Sequence, residues 1–203
     1  MTLPEPLHYS GPRMPFDLGS LLHDTRTLLS GHFRLSSGLH SNAYVQCARL
    51  LENPAHASVV GEALAVKLRP HGVDRIVAPA LGGVVIGYTV AQALGLPMIF
   101  TERKDGGMSL RRGFDLESRT RVAIVEDVVT TGKSTRETQG VVESLGGTVL
   151  AFASIMNRSG GENPFDRSYE FLMRMALETW DEANCPLCAK GVALDAPGSR
   201  FQR

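Results

Sequence analysis

Two adjacent carboxylates, Glu126 and Asp127, follow the apolar run 122–125 and precede Thr130, Thr131, Gly132, Lys133 and Ser134. Gly132-Lys133-Ser134 spells the end of a nucleotide-binding P-loop. The glycine such a loop needs five residues before its Gly-Lys is here Asp127. A turn of threonine, glycine and serine into a helix N-terminus offers outward-pointing N–H groups, hydroxyl donors and the positive end of a helix dipole, a cup for one phosphate. Acids beside that cup would repel a polyphosphate lying over them, but they accept hydrogen bonds from sugar hydroxyls. The arrangement therefore fits a ribose 5-phosphate group, with phosphate in the cup and hydroxyls on the acids. The plainer alternative is a pair of acids that caps a strand beside a solvated loop.

The flanking sequence says what must hold these groups. Residues 75–80 (RIVAPA), 97–102 (PMIFTE), 121–127 (RVAIVED) and 148–157 (TVLAFASIMN) read as strands separated by helical stretches. Continuous apolar strands alternating with helices predict a parallel sheet covered on both faces, with its sites at the carboxyl ends of the strands. Asp17 caps a first helix whose apolar face is Leu18, Leu21, Leu22, Leu28 and Leu29, ending near Gly31. Residues 33–51 read as extended with turns. Asn53 and Pro54 suit the N-cap and first position of a helix carrying Val60, Leu64 and Leu68, stopped by Pro70. Residues 84–94 are nearly all apolar, hence a helix buried on all sides. Ser134 with Glu137 forms a capping box for a helix to about Leu145.

Bulk properties exclude several classes. The chain has 203 residues, enough for one domain with a sizeable core. With 21 basic and 21 acidic residues it lacks the footprint of a nucleic-acid binder. Three cysteines cannot all pair with one another, which suits a reducing cytoplasm, and the proline-rich, charged start is not a signal peptide. Residues 76–100 carry no charge, but Pro79, Gly82, Gly83, Gly95 and Pro97 cut the stretch into strand, loop, helix and strand, so no membrane association is expected.

Glu126-Asp127 followed by Val128-Val129-Thr130-Thr131-Gly132 resembles the signature of the type I phosphoribosyltransferases. Their fold is a twisted parallel sheet flanked by helices with a small N-terminal hood. The resemblance implies an enzyme that binds 5-phosphoribosyl 1-pyrophosphate (PRPP) with Mg²⁺. Glu126 and Asp127 would hold the ribose hydroxyls and residues 130–134 the 5-phosphate. Leu81, Gly82 and Gly83 look like the loop that receives pyrophosphate. Residues 33–45 (FRLSSGLHSNAYV) and 156–161 (MNRSGG) resemble segments of the orotate branch, in which Arg158 faces the orotate carboxylate. Residues 102–114 (ERKDGGMSLRRGF) look like its mobile catalytic loop. Where a better-known branch carries lysines, Ser36 and Gly82 stand here, and the loop's positive charge has moved to Arg111 and Arg112.

The implied reaction is orotate plus PRPP giving orotidine 5-phosphate and pyrophosphate, a step of UMP biosynthesis. Other readings are a phosphoribosyltransferase for adenine or xanthine and a non-catalytic PRPP-binding regulator. Arg111, Arg112, Arg103 and Lys104 are the candidate catalytic cations, closing over the leaving group. Thr130, Tyr44, Ser36, Ser37 and Gly38 join Arg158 as candidate orotate contacts. Tyr44 and Phe33 can pack against a flat base or serve as core; Ser36, Ser37 and Gly38 can donate to base oxygens or form a plain turn. Arg158 has two readings as well, a bidentate grip on a carboxylate or an ordinary surface arginine ending a strand. Magnesium is expected on PRPP oxygens and water, without direct protein ligation. In the branch it resembles, the loop reaches the neighbouring subunit's site, which implies a homodimer with shared sites.

The expected organisation is one domain over 1–203. Residues 1–50 supply an arm, a helix and the hood, and 180–203 form a tail bearing Cys185-x-x-Cys188. A structural zinc site wants four ligands, of which this pair could supply two. Cys47 and the histidines show no paired spacing. Plain buried thiols are the expectation, with a metal, shared between subunits or not, and a redox pair as the alternatives.

Overall fold

The computed structural model describes residues 17–197, apart from 36 and 162. Its centre is β6 (Arg121–Val129) paired in parallel with β7 (Thr148–Asn157). Residues alternate between faces along a strand. Ala123 and Val125 of β6 accordingly join one core, and Val122 and Ile124 join the other. A strand apolar at every position needs cover on both sides, and each face receives it.

The sheet has six strands in the order β5-β4-β3-β6-β7-β8. β3 (Arg75–Pro79), β4 (Met98–Lys104) and β8 (Ser168–Arg174) run parallel to the central pair, and β5 (Gly107–Leu110) is antiparallel to β4. On one face lie α3 (Pro54–Leu68) and α4 (Gly82–Leu94). Asn53 caps α3 through Ala55 N–H and Pro54 opens it, as the sequence predicts. The two helices approach so closely that a Cβ at Gly61 would stand 2.5 Å from Thr89 Oγ1. The opposite face is covered by α5 (Lys133–Ser144), with Val142 against Val149 and Phe152.

A second, three-stranded sheet pairs β1 (Leu28–Arg34) with β2 (His40–Val45), and β2 with β9 (Thr179–Trp180). Beside it are α1 (Leu18–Asp24) and α2 (Cys47–Leu51), whose Leu18, Leu22, Cys47, Leu50 and Leu51 extend the core of the α3–α4 face. Near the end of the described chain, α6 (Pro186–Ala189) packs back toward β1, where Arg34 N–H donates to Asp195 O at 2.8 Å and Asp195 N–H to His32 O at 2.8 Å.

Several expectations require correction. The first helix stops at Asp24, and Leu28, Leu29 and Gly31 belong to β1, because Leu28 and Leu29 pair across to Val45 and Tyr44. Ladder pairing there overrides helical spacing. Residues 47–51 are helical, and β8, β9 and α6 were not foreseen. Helix α4 is not buried on all sides: Val85 is 44 % and Tyr88 63 % exposed. The capping box at Ser134 does not form, since Gly132 in the left-handed conformation caps α5 and Glu137 turns to Arg103 and Lys133.

The topology itself makes a crevice. From β3 the chain passes over α4 to β4 on one side, while β6 flanks β3 on the other. Helices α4 and α5 consequently leave the carboxyl ends of β3 and β6 toward opposite faces. Doubly wound sheets bind ligands at such a switch point.

Candidate active site

The acid pair sits at that crevice. Glu126 is 8 % exposed, and its Oε1 accepts from Asp127 N–H at 3.2 Å. Asp127 Oδ1 accepts from Val128 N–H at 2.8 Å. Burial, then the charge of Asp127, pushes the Glu126 carboxyl well above the usual carboxylate range. Burial also raises Asp127, against the lowering effect of its hydrogen bonds with Glu126 and the Val128 amide. A buried acid beside a half-buried one, both with raised pKa values, marks a site built for partners that donate hydrogen bonds or bring positive charge.

Residues 81–83 lie directly against them, not as the expected loop but as the N-cap and first turn of α4. A Cβ at Gly82 would stand 2.8 Å from both carboxylate oxygens of Asp127. At Gly83 it would meet Val125 O at 2.8 Å and Glu126 Oε1 at 3.1 Å. No side chain fits at either place without displacing the acids or the strand, a physical reason for glycine at position 82. Leu81, in contrast, is 85 % exposed.

After β6 the chain forms the cup. Glu126, Thr130, Thr131, Gly132, Lys133 and Ser134 line one cavity of about 180 Å³ with Val128, Val129 and Thr135. Thr131 Oγ1 accepts from Lys133 N–H at 3.4 Å and so orders the turn. Gly132 is required twice over: its φ is 70°, and a Cβ would lie 2.9 Å from the Phe165 ring. A depression of about 220 Å³ between α3 and α4 is lined by Ser58, Glu62, Arg69, Thr89, Gln92 and Ala93, away from the strand ends.

Arg158 follows β7, its N–H donating to Val129 O at 2.7 Å. Its Nε is buried with no hydrogen-bond partner among the described residues, and burial lowers the guanidinium pKa. Burial raises the Tyr44 phenol, Asp127 raises it further, and Arg158 opposes the rise. Tyr44, Asp127 and Arg158 thus share one electrostatic neighbourhood, although they come from three separate parts of the sequence. Phe33 is 5 % exposed and tilts against Tyr44 with ring centroids 5.7 Å apart, so it supports the tyrosine from the core. Ser37 and Gly38 form the exposed β1–β2 turn, with Gly38 at φ 90°. Ser36 lies outside the described residues.

The four candidate cations sit on a hairpin. Residues 101–110 pair as β4 and β5 around a turn at Asp105 and Gly106. Arg103 bonds Glu137 and donates to Gly106 O at 2.8 Å. Arg112 makes two bonds to Glu102, at 2.9 and 2.8 Å, and lies 5.8 Å from the Phe100 ring. Lys104 and Arg111 are exposed. Within the chain, Arg103 and Arg112 are held by local acids, and none of the four lines the cup.

Sequence reasoning missed the groups behind the site. Cys47 is raised well above the usual thiol range by burial, then by Asp127 and Glu126, so it lies near the acids. Asn157 is 1 % exposed and accepts from Ser159 N–H at 2.9 Å and Ser159 Oγ–H at 2.7 Å, shaping the turn that carries Arg158. For Cys47 there was no signal, because its proximity to the acids exists only in the folded chain. The run Asn157-x-Ser159 is a turn signal that could have been read. The cysteines also need correction as plain buried thiols: Cys47 and Cys185 are buried, but Cys188 is exposed.

Comparison with known proteins gives the following. No protein-family model matches the chain. A curated protein of Carboxydothermus hydrogenoformans named orotate phosphoribosyltransferase is 47 % identical over 186 residues, which is 91 % of this chain and 97 % of that one. One of the same name from Thermotoga maritima is 46 % identical over 180 residues, 89 % and 96 % of the respective chains. Among solved structures, orotate phosphoribosyltransferase of Aeropyrum pernix superposes with a TM-score of 0.66 at 25 % identity, covering 77 % of this chain and 94 % of that one.

Proposed function

The chain belongs to the orotate phosphoribosyltransferases, and from that premise we propose which of its groups carry the transfer of phosphoribose from PRPP to orotate. The carbon–oxygen bond at ribose C1 breaks, pyrophosphate leaves with the electron pair, and a ring nitrogen of orotate bonds to C1 and gives up its proton to water. Charge develops on an oxocarbenium-like sugar and on the leaving group, so positioning and electrostatics supply most of the catalysis.

Glu126 and Asp127 accept hydrogen bonds from the ribose hydroxyls. Residues 130–134 hold the 5-phosphate through N–H and hydroxyl donors at the start of α5. Backbone at Leu81, Gly82 and Gly83 receives the pyrophosphate beside the acids. Arg103, Lys104, Arg111 and Arg112 close over the leaving group after Arg112 exchanges Glu102 for pyrophosphate. Mg²⁺, carried on pyrophosphate oxygens and water, supplies neutralising charge; carboxylate oxygens nearby suit a hard cation in its outer sphere.

The observation that carries the choice of base is the buried, unpartnered Nε of Arg158 beside Tyr44 and Asp127. Orotate has a carboxylate for a planar fork to grip, and adenine and xanthine have none. Thr130, Ser36, Ser37 and Gly38 complete the base contacts, with the β1–β2–β9 sheet as the hood. The exposed apolar residues Leu81, Val85 and Tyr88 support a homodimer, in which the β4–β5 hairpin serves the neighbouring subunit's site. Free cysteines support a reducing cytoplasm. The deciding assay mixes protein and PRPP, with and without Mg²⁺, with orotate, adenine or xanthine. Orotate is consumed only with Mg²⁺ and PRPP; consumption of a purine in place of orotate overturns the assignment.

A further inference from the structure

The tail and the hood bring together four side chains that the transfer reaction does not use. His32 on β1, His40 on β2, and Cys185 and Cys188 at α6 each offer one ligand atom, and these atoms all lie within 4.8 Å of one another. His32 Nε2 is 3.5 Å from Cys185 Sγ and 3.7 Å from Cys188 Sγ. His40 Nδ1 is 3.3 Å from Cys188 Sγ and 3.0 Å from His32 Nε2. A tetrahedral zinc ion, with nitrogen at about 2.0–2.1 Å and sulfur at about 2.3 Å, sets its ligands about 3.3–3.8 Å apart. These four separations match those edges within a few tenths of an ångström, and the other two pairs lie within 4.8 Å.

The surroundings fit as well. His32 Nδ1 lies 2.8 Å from Val192 O, a carbonyl that can only accept, so the ring proton sits on Nδ1 and the lone pair of Nε2 faces the cluster. Metal-bound histidines are oriented by such a bond. His32, His40 and Cys185 are 3 %, 2 % and 3 % exposed, which leaves Cys188 as the way in. Gly191 N–H donates to Cys188 O at 2.9 Å and Val192 N–H to Leu187 O at 3.0 Å, folding the chain after α6 so that Val192 O meets His32.

We propose that His32, His40, Cys185 and Cys188 of one chain bind a structural zinc ion that fastens the C-terminal tail to the hood. Binding releases the two thiol protons, and two thiolates with two neutral imidazoles leave the centre without net charge. All four positions are filled by protein, so the site is closed and structural, unlike a catalytic zinc that keeps a position open. The hood has reason to need it. It is a three-stranded sheet whose last strand, β9, pairs with β2 through only His40–Trp180 and Ser41–Thr179. Small substructures with little core are held by metals or disulfides. Tyr44 stands on the same strand as His40, so fixing the hood also fixes one wall of the base pocket.

The test uses full-length protein purified under reducing conditions without chelators and desalted into metal-free buffer. Elemental analysis is expected to find about one zinc per chain, and cobalt added to zinc-stripped protein gives the visible bands of a tetrahedral thiolate complex. Cys188→Ser, at an exposed position, is expected to lower zinc retention at least about tenfold and lower the melting temperature, while calorimetric PRPP affinity stays near that of the parent. Titrating the parent's thiols with a mercurial releases the zinc in step, a readout that needs no variant. Less than about one zinc per ten chains together with no cobalt spectrum overturns the site. So does unchanged zinc in Cys188→Ser, or a Cys185–Cys188 disulfide found by mass spectrometry in the reduced protein. None of these readouts depends on the base transferred.

Discussion

The proposed ribose cup and the hood cluster hold polar side chains in fixed geometry by opposite means. The cup is lined by Glu126 and residues 128–135, nearly consecutive positions at the end of one strand and the start of one helix, with Asp127 beside them in the chain. The hood cluster draws on two strands and a tail, with His40 and Cys188 separated by 148 positions in the chain. A site made at a strand–helix junction acquires its shape as soon as those two elements form. An assembled site exists only when the whole hood is closed, and it can in turn hold that hood closed. The cup's groups are therefore expected to govern ligand affinity with little effect on stability, and the cluster's groups to do the reverse.

The strongest way to sharpen this contrast is to remove the cations that the cup lacks. Only Lys133 lends it a positive side chain, and that side chain is 64 % exposed with Glu137 at 3.9 Å. Replacing Arg111 and Arg112 together by alanine should lower kcat on the order of 10²-fold with PRPP affinity nearly unchanged, because their contacts strengthen as pyrophosphate leaves. Mixed with an inactive Glu126→Gln/Asp127→Asn variant, it should recover part of the activity through one intact shared site. Demonstrated subunit exchange without recovery would mean that the hairpin serves its own chain.

Arg158→Ala should come next, weakening orotate binding by about 10–100-fold, the loss of a charged hydrogen-bonded pair, while PRPP binding stays. Equal loss of both ligands would make Arg158 structural and remove the main argument for orotate over purines. Of the same order is the effect of a single acid: Glu126→Gln or Asp127→Asn should cost about 1–3 kcal/mol of PRPP affinity by calorimetry. A fall in melting temperature in place of that loss would break the contrast, since the cup would then be holding the fold.

The mildest test concerns pH in the absence of ligand. Both acids have folded-state pKa values raised above the ordinary 4.5 for Glu126 and 3.8 for Asp127. The folded chain therefore binds more protons than the unfolded one, and ligand-free stability should fall as pH rises through those ordinary values toward the folded ones. Glu126→Gln should flatten that slope and melt higher than the parent near neutrality. An unchanged slope would mean that Glu126 is solvated and ionised in the folded protein.

What the sequence determined was whatever depends on neighbours along the chain. The apolar runs at 75–80, 121–125 and 148–157 specify strands covered on both faces, Asn53-Pro54 opens α3, and 126–134 spells an acid pair followed by a Thr/Gly/Ser turn into a helix. Helix spacing misled at Leu28 and Leu29, where pairing with Val45 and Tyr44 decides for strand. It misled again at Glu137 of α5, whose partner Arg103 lies on β4. Only the tertiary structure decided that Gly82 presses on Asp127, that Cys47 lies near the acids, that Tyr44 and Arg158 share their field, and that two histidines without paired spacing meet two cysteines from the tail. Those encounters are long-range. Strand pairing and helix packing bring the partners within a few ångströms, and no periodicity or local propensity encodes a distance between residues far apart in the chain.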